Sequence, residues 1–434
     1  MGHLVGKDVY RKLGTKVDGL TVRAPWNETM RAILKELCSP EEAEVFIGMP
    51  YGFATLDRIA RSTGHERVKL QGTLERLAEK GLVVDFEFEG GTQYMPSPLF
   101  VGIFEFTMMR TGPGVDSATL GKLFHAYLNE SGVVEANAAH GEKVTIMRAL
   151  PHDGAVREHV EILDYEKASA ILAEKERFAL GICSCRHEKL HAGVRECDGP
   201  LDVCSSFDRA ADFLVRHGMA REVSKAEMQD NLTRSRERGL VLSADNVQKN
   251  AGFICNCCAC CCNLLRGVRD FGYPNFIVTS SFIASPDQSL CQGCGKCSKA
   301  CPIEAIEMLP LASPAGKKKK EPRVDAGFCL GCGVCTLDCS SGAMRLDRRG
   351  RRVIHPETTF ERVILQCLER GTLQNQIFDD PGSLTQDVMR AILGAFLRLP
   401  PVKRALMSDA LRSRFLAAMK AGVSAQGKGE LVAM

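Results

Sequence analysis

Apolar positions along the chain fall first into a helical repeat and then into strand-like runs. From Glu28, residues Met30, Ile33, Leu34 and Leu37 share one helical face, and further helical runs follow at Glu41 to Phe46, Thr55 to Arg61 and His65 to Lys80. Leu70, Leu74 and Leu77 are spaced i, i+4, i+7, and Gly81 stands where a helix end favours a residue tolerant of positive φ. Leu82 to Phe88, a Gly90-Gly91 turn and Gln93 to Met95 predict a hairpin. Residues 1–27, rich in Gly and Lys, carry little periodicity and read as an arm.

Between residues 96 and 284 the pattern mixes strands and helices. Lys143 to Leu150 and Glu158 to Leu163 read as strands, and Asp164 as the N-cap of a helix reaching Glu176. Arg177 to Ile182 is an apolar strand running straight into Cys183. Ser224 and Glu227 have capping-box spacing for a helix that ends at Gly239, after which Phe253 and Ile254 lead into Cys255. The stretch SPAGKKKKEPR, residues 313–323, reads as a solvated linker whose lysines could steer an acidic redox partner. From Glu361 the chain is helical again, with breaks at Pro381 and Pro400-Pro401. It ends in a basic amphipathic segment, Arg404 to Ala421, suited equally to a partner subunit or to its own domain, with membrane-surface binding a minor third reading.

Composition narrows the class. A length of 434 residues suggests about three domains. Lys plus Arg is 56 against 53 for Asp plus Glu, so net charge gives no reason to expect a polyanion partner. No apolar run reaches membrane-span length and no stretch of signal-peptide type opens the chain, so a soluble, cytoplasmic protein is expected. Of the 20 cysteines, eighteen lie between Cys183 and Cys339. A disulfide framework belongs to short secreted chains, whereas reduced thiolates at short spacing are metal ligands.

The text TLDRIARSTGHERVKLQGTLERLAEKGLVVDFEFEGGTQY resembles a winged helix of the kind common in bacterial regulators, over residues 28–95. That resemblance implies a helix from His65 to Lys80 presenting Arg67, Lys69, Gln71 and Arg76 to a major groove. Asp85, Glu87 and Glu89 would place carboxylates on the wing, where DNA phosphates would lie, which favours protein docking over DNA.

The strongest motif is Cys291-x2-Cys294-x2-Cys297-x3-Cys301-Pro302, repeated as Cys329-x2-Cys332-x2-Cys335-x3-Cys339. Three thiolates two residues apart can each reach one corner of an iron-sulfur cubane. Two zinc knuckles are the alternative, but zinc sites pair two short hooks across a longer gap. The run, over about residues 286–346, resembles the bacterial dicluster ferredoxins. The resemblance implies one 4Fe-4S cluster on Cys291, Cys294, Cys297 and Cys339, and another on Cys329, Cys332, Cys335 and Cys301. Gly293, Gly295, Gly331 and Gly333 suit loops wound tightly round a cluster. Ser340 stands where the family usually has proline.

Ten further cysteines precede this module: Cys183, Cys185, Cys197 and Cys204, then Cys255, Cys257, Cys258, Cys260, Cys261 and Cys262. Ile182-Cys183-Ser184-Cys185 and Ile254-Cys255-Asn256-Cys257 begin alike at strand ends. If those strands are neighbours, their tips emerge at one sheet edge. At least one additional iron-sulfur cluster is expected among these thiols. Zinc is an alternative, with His187 and His191 near, although each histidine reads better as a surface residue beside Arg186, Glu188 and Lys189; redox-active thiols or a noncubane cluster are others. Six cysteines within Cys255 to Cys262 cannot all face one cubane, because adjacent side chains diverge. The whole arrangement resembles multi-cluster iron-sulfur proteins of anaerobic and facultative bacteria. Cys38 and Cys367 stand alone in helical apolar patterns and read as core.

The expected fold class is α+β and multidomain: an arm (1–27), a winged-helix-like domain (28–95), a mixed α/β cysteine-rich domain (96–284), a dicluster ferredoxin domain (285–350) and a helical C-terminal region (351–434). The expected function is electron transfer, as a carrier or as the subunit of an oxidoreductase with a redox partner protein. The alternatives are an iron-sulfur redox-sensing regulator that binds DNA and an iron-sulfur oxidoreductase with substrate at an open iron. No dinucleotide fingerprint or Walker sequence appears.

Overall fold

The structure, a computed structural model, describes residues 8–112, 114–130, 132–158, 160–315 and 318–434. Helix α1 (Val9–Asp18) occupies much of the expected arm and buries Leu13 and Val17. Charged residues between those apolar positions, Lys12 and Lys16, conceal the repeat, yet Lys16 is itself buried and donates to the Met49 carbonyl. Residues 1–7 of that arm lie outside the described residues. Asn27 caps α2 (Glu28–Leu37) by accepting from the Met30 amide, and the helix buries Met30, Ile33, Leu34 and Leu37. A capping box of Ser39 and Glu42 opens α3 (Pro40–Gly48). Next come β1 (Ala54–Thr55), α4 (Leu56–Thr63) and α5 (Arg67–Glu79), with Gly81 at φ 76° just beyond. The hairpin of β2 (Val83–Phe88) and β3 (Gly91–Pro96) completes an antiparallel sheet ordered β1-β3-β2.

The middle of the chain forms a six-stranded antiparallel sheet ordered β4-β8-β9-β6-β5-β7. Its strands are β4 (Met147–Ala149), β5 (Phe178–Ile182), β6 (Asp202–Phe207), β7 (Ala220–Glu222), β8 (Val241–Asp245) and β9 (Phe253–Cys257). The helices of this region are α6 (Phe104–Met109), α7 (Ser117–Glu130), α8 (Val133–Ala138), α9 (Ala168–Ala173), α10 (Ser184–Ala192), α11 (Asp208–Arg216), α12 (Lys225–Glu237) and α13 (Asn263–Arg269). Ser224 caps α12 through the Glu227 amide, as its spacing predicts. Met228 of that helix joins Leu180, Phe207, Leu242 and Ile254 in a core against the sheet.

Three local expectations fail in this region. The strand expected over Lys143 to Leu150 is only the short β4. The stretch expected as a strand from Glu158 forms none among its described residues. Just before it Val156 bridges Leu346 and Arg157 pairs with Asp347 at 2.6 Å, and within it the Glu161 carbonyl accepts from Arg348 at 2.9 Å. Asp164 begins a single 3-10 turn, and α9 starts only after Lys167.

The cysteine repeats lie between the strands of two antiparallel pairs: β10 (Phe282–Pro286) with β13 (Met344–Arg348), and β11 (Ile306–Ala315) with β12 (Lys318–Val324). Of the expected linker at 313–323, residues 316 and 317 lie outside the described residues, and the rest lies in the paired strands β11 and β12 between the two halves. Short helices α14 (Lys296–Ala300) and α15 (Val334–Leu337) carry the third cysteine of each half, Cys297 and Cys335. The C-terminal region is helical: α16 (Thr359–Arg370), α17 (Leu373–Ile377), α18 (Leu384–Leu397), α19 (Pro400–Met407), α20 (Asp409–Ala425) and α21 (Gly429–Val432). Ser408, in extended conformation, divides the segment expected as one amphipathic helix into α19 and α20. Among the described residues no helix is long and apolar enough to cross a membrane.

The N-terminal hairpin does not stand free. Phe86 meets Phe213 of α11 edge to face, and Asp85 accepts from Arg216 at 2.7 Å and His217 at 2.9 Å. Asp85 is buried in this contact, so of the three carboxylates expected on the hairpin surface only Glu87 and Glu89 are exposed. Burial opposes its charge, but His217 and Arg216 hold the Asp85 carboxyl below its ordinary 3.8. This stabilisation is present above pH 3.8 and is lost as pH falls through the depressed value. Asp85→Ala is therefore expected to weaken the docking by about 1–3 kcal/mol at neutral pH. The check is a lower thermal midpoint for the variant at pH 7, with the difference from wild type shrinking in acid below pH 3.8.

Candidate metal centres

The tandem cysteine module has the loops that cluster binding requires. Gly293, Gly295, Gly331 and Gly333 all have positive φ, between 67° and 81°. At Gly331 a Cβ would also lie 2.2 Å from the Phe282 carbonyl oxygen, so the backbone there follows a path open only to glycine. Cys301, Cys329, Cys332 and Cys335 line one cavity together with Ile303, Leu330 and Leu346. Four thiols around apolar walls fit a 4Fe-4S cluster, which is held by thiolates. Burial pushes the Cys332 thiol up to about 12, so metal binding there must release protons. The other set lies toward the surface: Cys294 is exposed, and Cys291, Cys294 and Cys339 all act electrostatically on Cys297.

Backbone amides meet the fourth thiol of each run in matching fashion. Ala305 N donates to Cys301 Sγ at 3.2 Å and Met344 N to Cys339 Sγ at 3.3 Å. Ser341 Oγ stands 3.6 Å from Cys339 Sγ, a polar neighbour in the half where Ser340 replaces proline. Hydrogen bonds to sulfur tune cluster potential, so the two halves are electrostatically unlike.

In the middle sheet, β5 and β9 are separated by β6 and both pair antiparallel with it, so they run the same way and end at one edge. The strands bearing the two C-x-C tips are thus flankers of β6 rather than direct neighbours, and β6 adds Cys204 between them. Six thiols interact along this edge: Cys183, Cys185, Cys204, Cys255, Cys257 and Cys262. Cys183 and Cys262 are the N-cap residues of α10 and α13, so two helices begin at the group. Hydrogen bonds from Cys255 and Cys262 bring Cys257 down to about 6, which favours a thiolate despite burial.

The four remaining cysteines form a separate group. Sγ atoms of Cys197, Cys258, Cys260 and Cys261 all lie within 4.8 Å of one another. A turn closed by the Cys262 amide on the Cys258 carbonyl, 3.2 Å, presents three of them, and Arg269 holds the Ala259 carbonyl at 3.3 Å. The Cys255 to Cys262 run is therefore divided, with Cys255, Cys257 and Cys262 in the inner group and Cys258, Cys260 and Cys261 in the second, where Cys261 is buried. A donated hydrogen bond from Cys261, with Arg186 beside it, holds the Cys258 thiol at about 4.

Several polar residues that read from sequence as surface neighbours are buried supports. Arg186, Glu188 and Lys189 are 0%, 0% and 1% exposed. Lys189 Nζ pairs with Glu188 at 2.7 Å and donates to Asn263 Oδ1 at 2.8 Å, and Asn263 reaches Cys185 Sγ at 3.8 Å. His125, on α7, meets Glu188 at 2.8 Å and lies 3.2 Å from Lys189 Nζ. His187 is also buried, contrary to its surface reading, with its Nδ1 on the Met108 carbonyl at 2.6 Å and its Nε2 2.9 Å from that of His191. Neither histidine belongs to the four-thiol group. Cys38 and Cys367 are buried in apolar core, as their helical pattern predicts.

A bonded run joins the two cysteine regions. His152 N donates to the Cys332 carbonyl at 3.0 Å, and its ring Nε2 donates to the Leu240 carbonyl at 2.8 Å. The next residue, Val241, is paired with Cys257 across β8 and β9. No sequence motif marks His152; only its tertiary position shows its role.

Residues 290–343 match the family model of the 4Fe-4S dicluster domain, which spans all eight cysteines of the tandem repeat. No curated protein and no solved structure matches the chain.

Proposed function

We propose that this chain, an iron-sulfur protein by its 4Fe-4S dicluster domain, transfers electrons, with Cys291, Cys294, Cys297 and Cys339 holding a cluster near the surface and Cys329, Cys332, Cys335 and Cys301 holding a buried one. The inner six thiols of the sheet edge would hold a further cluster. Bound at these thiols, 4Fe-4S clusters supply one-electron redox centres. The observation that carries this reading is the run from Cys332 through His152 and Leu240 to the strand pair bearing Cys257. It gives an electron on the buried set a bonded route into the middle sheet. Burial lowers the pKa of His152, so the ring bridges as a neutral group and adds no charge between the centres.

The subunit form of this reading draws on the C-terminal region. Helix α18 leaves Leu384, Val388, Ile392 and Phe396 exposed, and a contiguous apolar face of this kind is a surface that a partner protein covers. For the N-terminal domain, winged-helix-like in its order of elements, the docking reading is favoured. Its hairpin is held against α11, and on α5 Arg67 is paired with Asp57 while Arg76 faces Glu42. Few cations are left for phosphates.

Mediated redox titration of the anaerobically purified chain, followed by electron paramagnetic resonance, is the test. Reversible one-electron steps within roughly −700 to +450 mV are expected. Iron that stays silent across that range contradicts electron transfer, and a salt-sensitive shift of promoter DNA at submicromolar protein would favour the regulator instead.

A further inference from the structure

Among the described residues, Cys197, Cys258, Cys260 and Cys261 are the group whose sulfurs all lie within 4.8 Å of one another. Cys197 Sγ lies 3.8 Å from Cys258 Sγ and 3.7 Å from Cys261 Sγ, while Cys260 Sγ lies 3.6 Å from both Cys258 Sγ and Cys261 Sγ. A single ion with metal-sulfur bonds of about 2.3 Å in a tetrahedron puts its sulfurs about 3.8 Å apart. A cubane attaches each thiolate to a different iron, which spreads the sulfurs to roughly 6 Å. The group is thus too small for a cubane and the right size for one ion. Disulfides, with sulfurs about 2.0 Å apart, do not describe it either.

The surrounding charge agrees. Arg186, wholly buried, has no carboxylate partner among the described residues; its guanidinium donates to the Pro200 carbonyl at 3.0 Å, the Asn256 carbonyl at 2.8 Å and Cys258 Sγ at 3.4 Å. An uncompensated guanidinium is costly to bury. Four thiolates around a divalent ion carry net charge of about −2, which supplies the missing anion. The loop is built to admit this contact: a Cβ on Gly199 would lie 3.2 Å from Arg186 Nε and 3.6 Å from Cys197 Sγ. Both the ligand loops and their support therefore converge on one point.

We propose that Cys197, Cys258, Cys260 and Cys261 bind one Zn²⁺ ion in a closed tetrahedral site, distinct from any iron-sulfur cluster of the chain. All four coordination positions are taken by thiolates, so the site is structural rather than catalytic. It would tie the loop between α10 and β6 to the turn between β9 and α13. Arg186 is a positioning residue that compensates the thiolates without ligating the metal.

The test is zinc, iron and sulfide analysis of the anaerobically isolated full chain, beside Cys197→Ser, Cys260→Ser and Arg186→Leu. About one zinc per chain is expected in wild type, with zinc lost in both cysteine variants while iron, sulfide and the reduced cluster spectra stay unchanged. Growth with cobalt should give thiolate-to-cobalt charge transfer and tetrahedral d-d bands, absent from Cys197→Ser. Arg186→Leu should retain cobalt ligation but exchange the ion to a chelator faster. Wild type without stoichiometric zinc, or a Cys197→Ser variant that loses iron and sulfide with its zinc content unchanged, overturns the proposal. If the variants fold poorly, the zinc content and cobalt spectrum of wild type alone decide it.

Discussion

Replacing Cys335 with alanine is expected to remove about four of the irons that the tandem module holds and, with them, one of its two reduced-state resonance signals. Cys335 is buried on α15 and lines the cavity shared by Cys301, Cys329 and Cys332. Three remaining thiols with an apolar wall behind them offer no substitute ligand. Cys294→Ala removes the same amount of iron from the surface set, but the consequences differ, because Cys294 is exposed and the buried set adjoins His152. Loss of the buried cluster should therefore block reduction of the middle-sheet thiol group from the surface side. Iron and sulfide analysis with rapid-freeze resonance of both variants checks this; equal reduction of the middle sheet in Cys335→Ala would contradict the route.

The second large effect is on stability. Glu188→Ala leaves the Lys189 ammonium, 1% exposed, without its carboxylate, and a broken buried pair costs about 3–5 kcal/mol. The loss reaches the inner thiols as well, because Lys189 also holds Asn263 and Asn263 contacts Cys185. A marked fall in thermal midpoint is expected for Glu188→Ala. Removing both charges, as Glu188→Ala with Lys189→Met, should recover much of it, since no unpaired charge then remains. A double variant no better than Glu188→Ala would show that the pair acts chiefly through its hydrogen bonds rather than its charge.

How much of this was legible in the sequence depends on the range of the interaction. The helices from Glu28 to Glu79 and the hairpin after Gly81 follow from side-chain spacing, because each buries a stripe defined within its own segment. The tandem module is equally local, since each run of three cysteines sits in one loop and the first turn of the helix after it, and the family match falls on it. Elsewhere tertiary contacts decide. Lys16 on α1 is buried against a distant carbonyl, and the Glu161 carbonyl, in the stretch that reads as a strand, is bonded instead by Arg348 of β13. The division of the ten middle cysteines into six and four depends on β6 lying between β5 and β9, an order that strand periodicity does not carry. Arg186, Glu188 and Lys189 look like solvated charges because a sequence shows neither the thiols nor the asparagine that partner them.

The central claim, that electrons pass between the tandem module and a cluster on the inner six thiols, is tested most directly by resonance spectroscopy and iron counting on the anaerobic full chain beside Cys257→Ser. The account predicts iron and sulfide above the roughly eight of two cubanes. It also predicts a further reducible signal that is lost in Cys257→Ser while the tandem-module signals persist, and broadening of the buried cluster's signal when both centres are reduced. About eight irons, with wild-type and Cys257→Ser spectra superimposable, would contradict it.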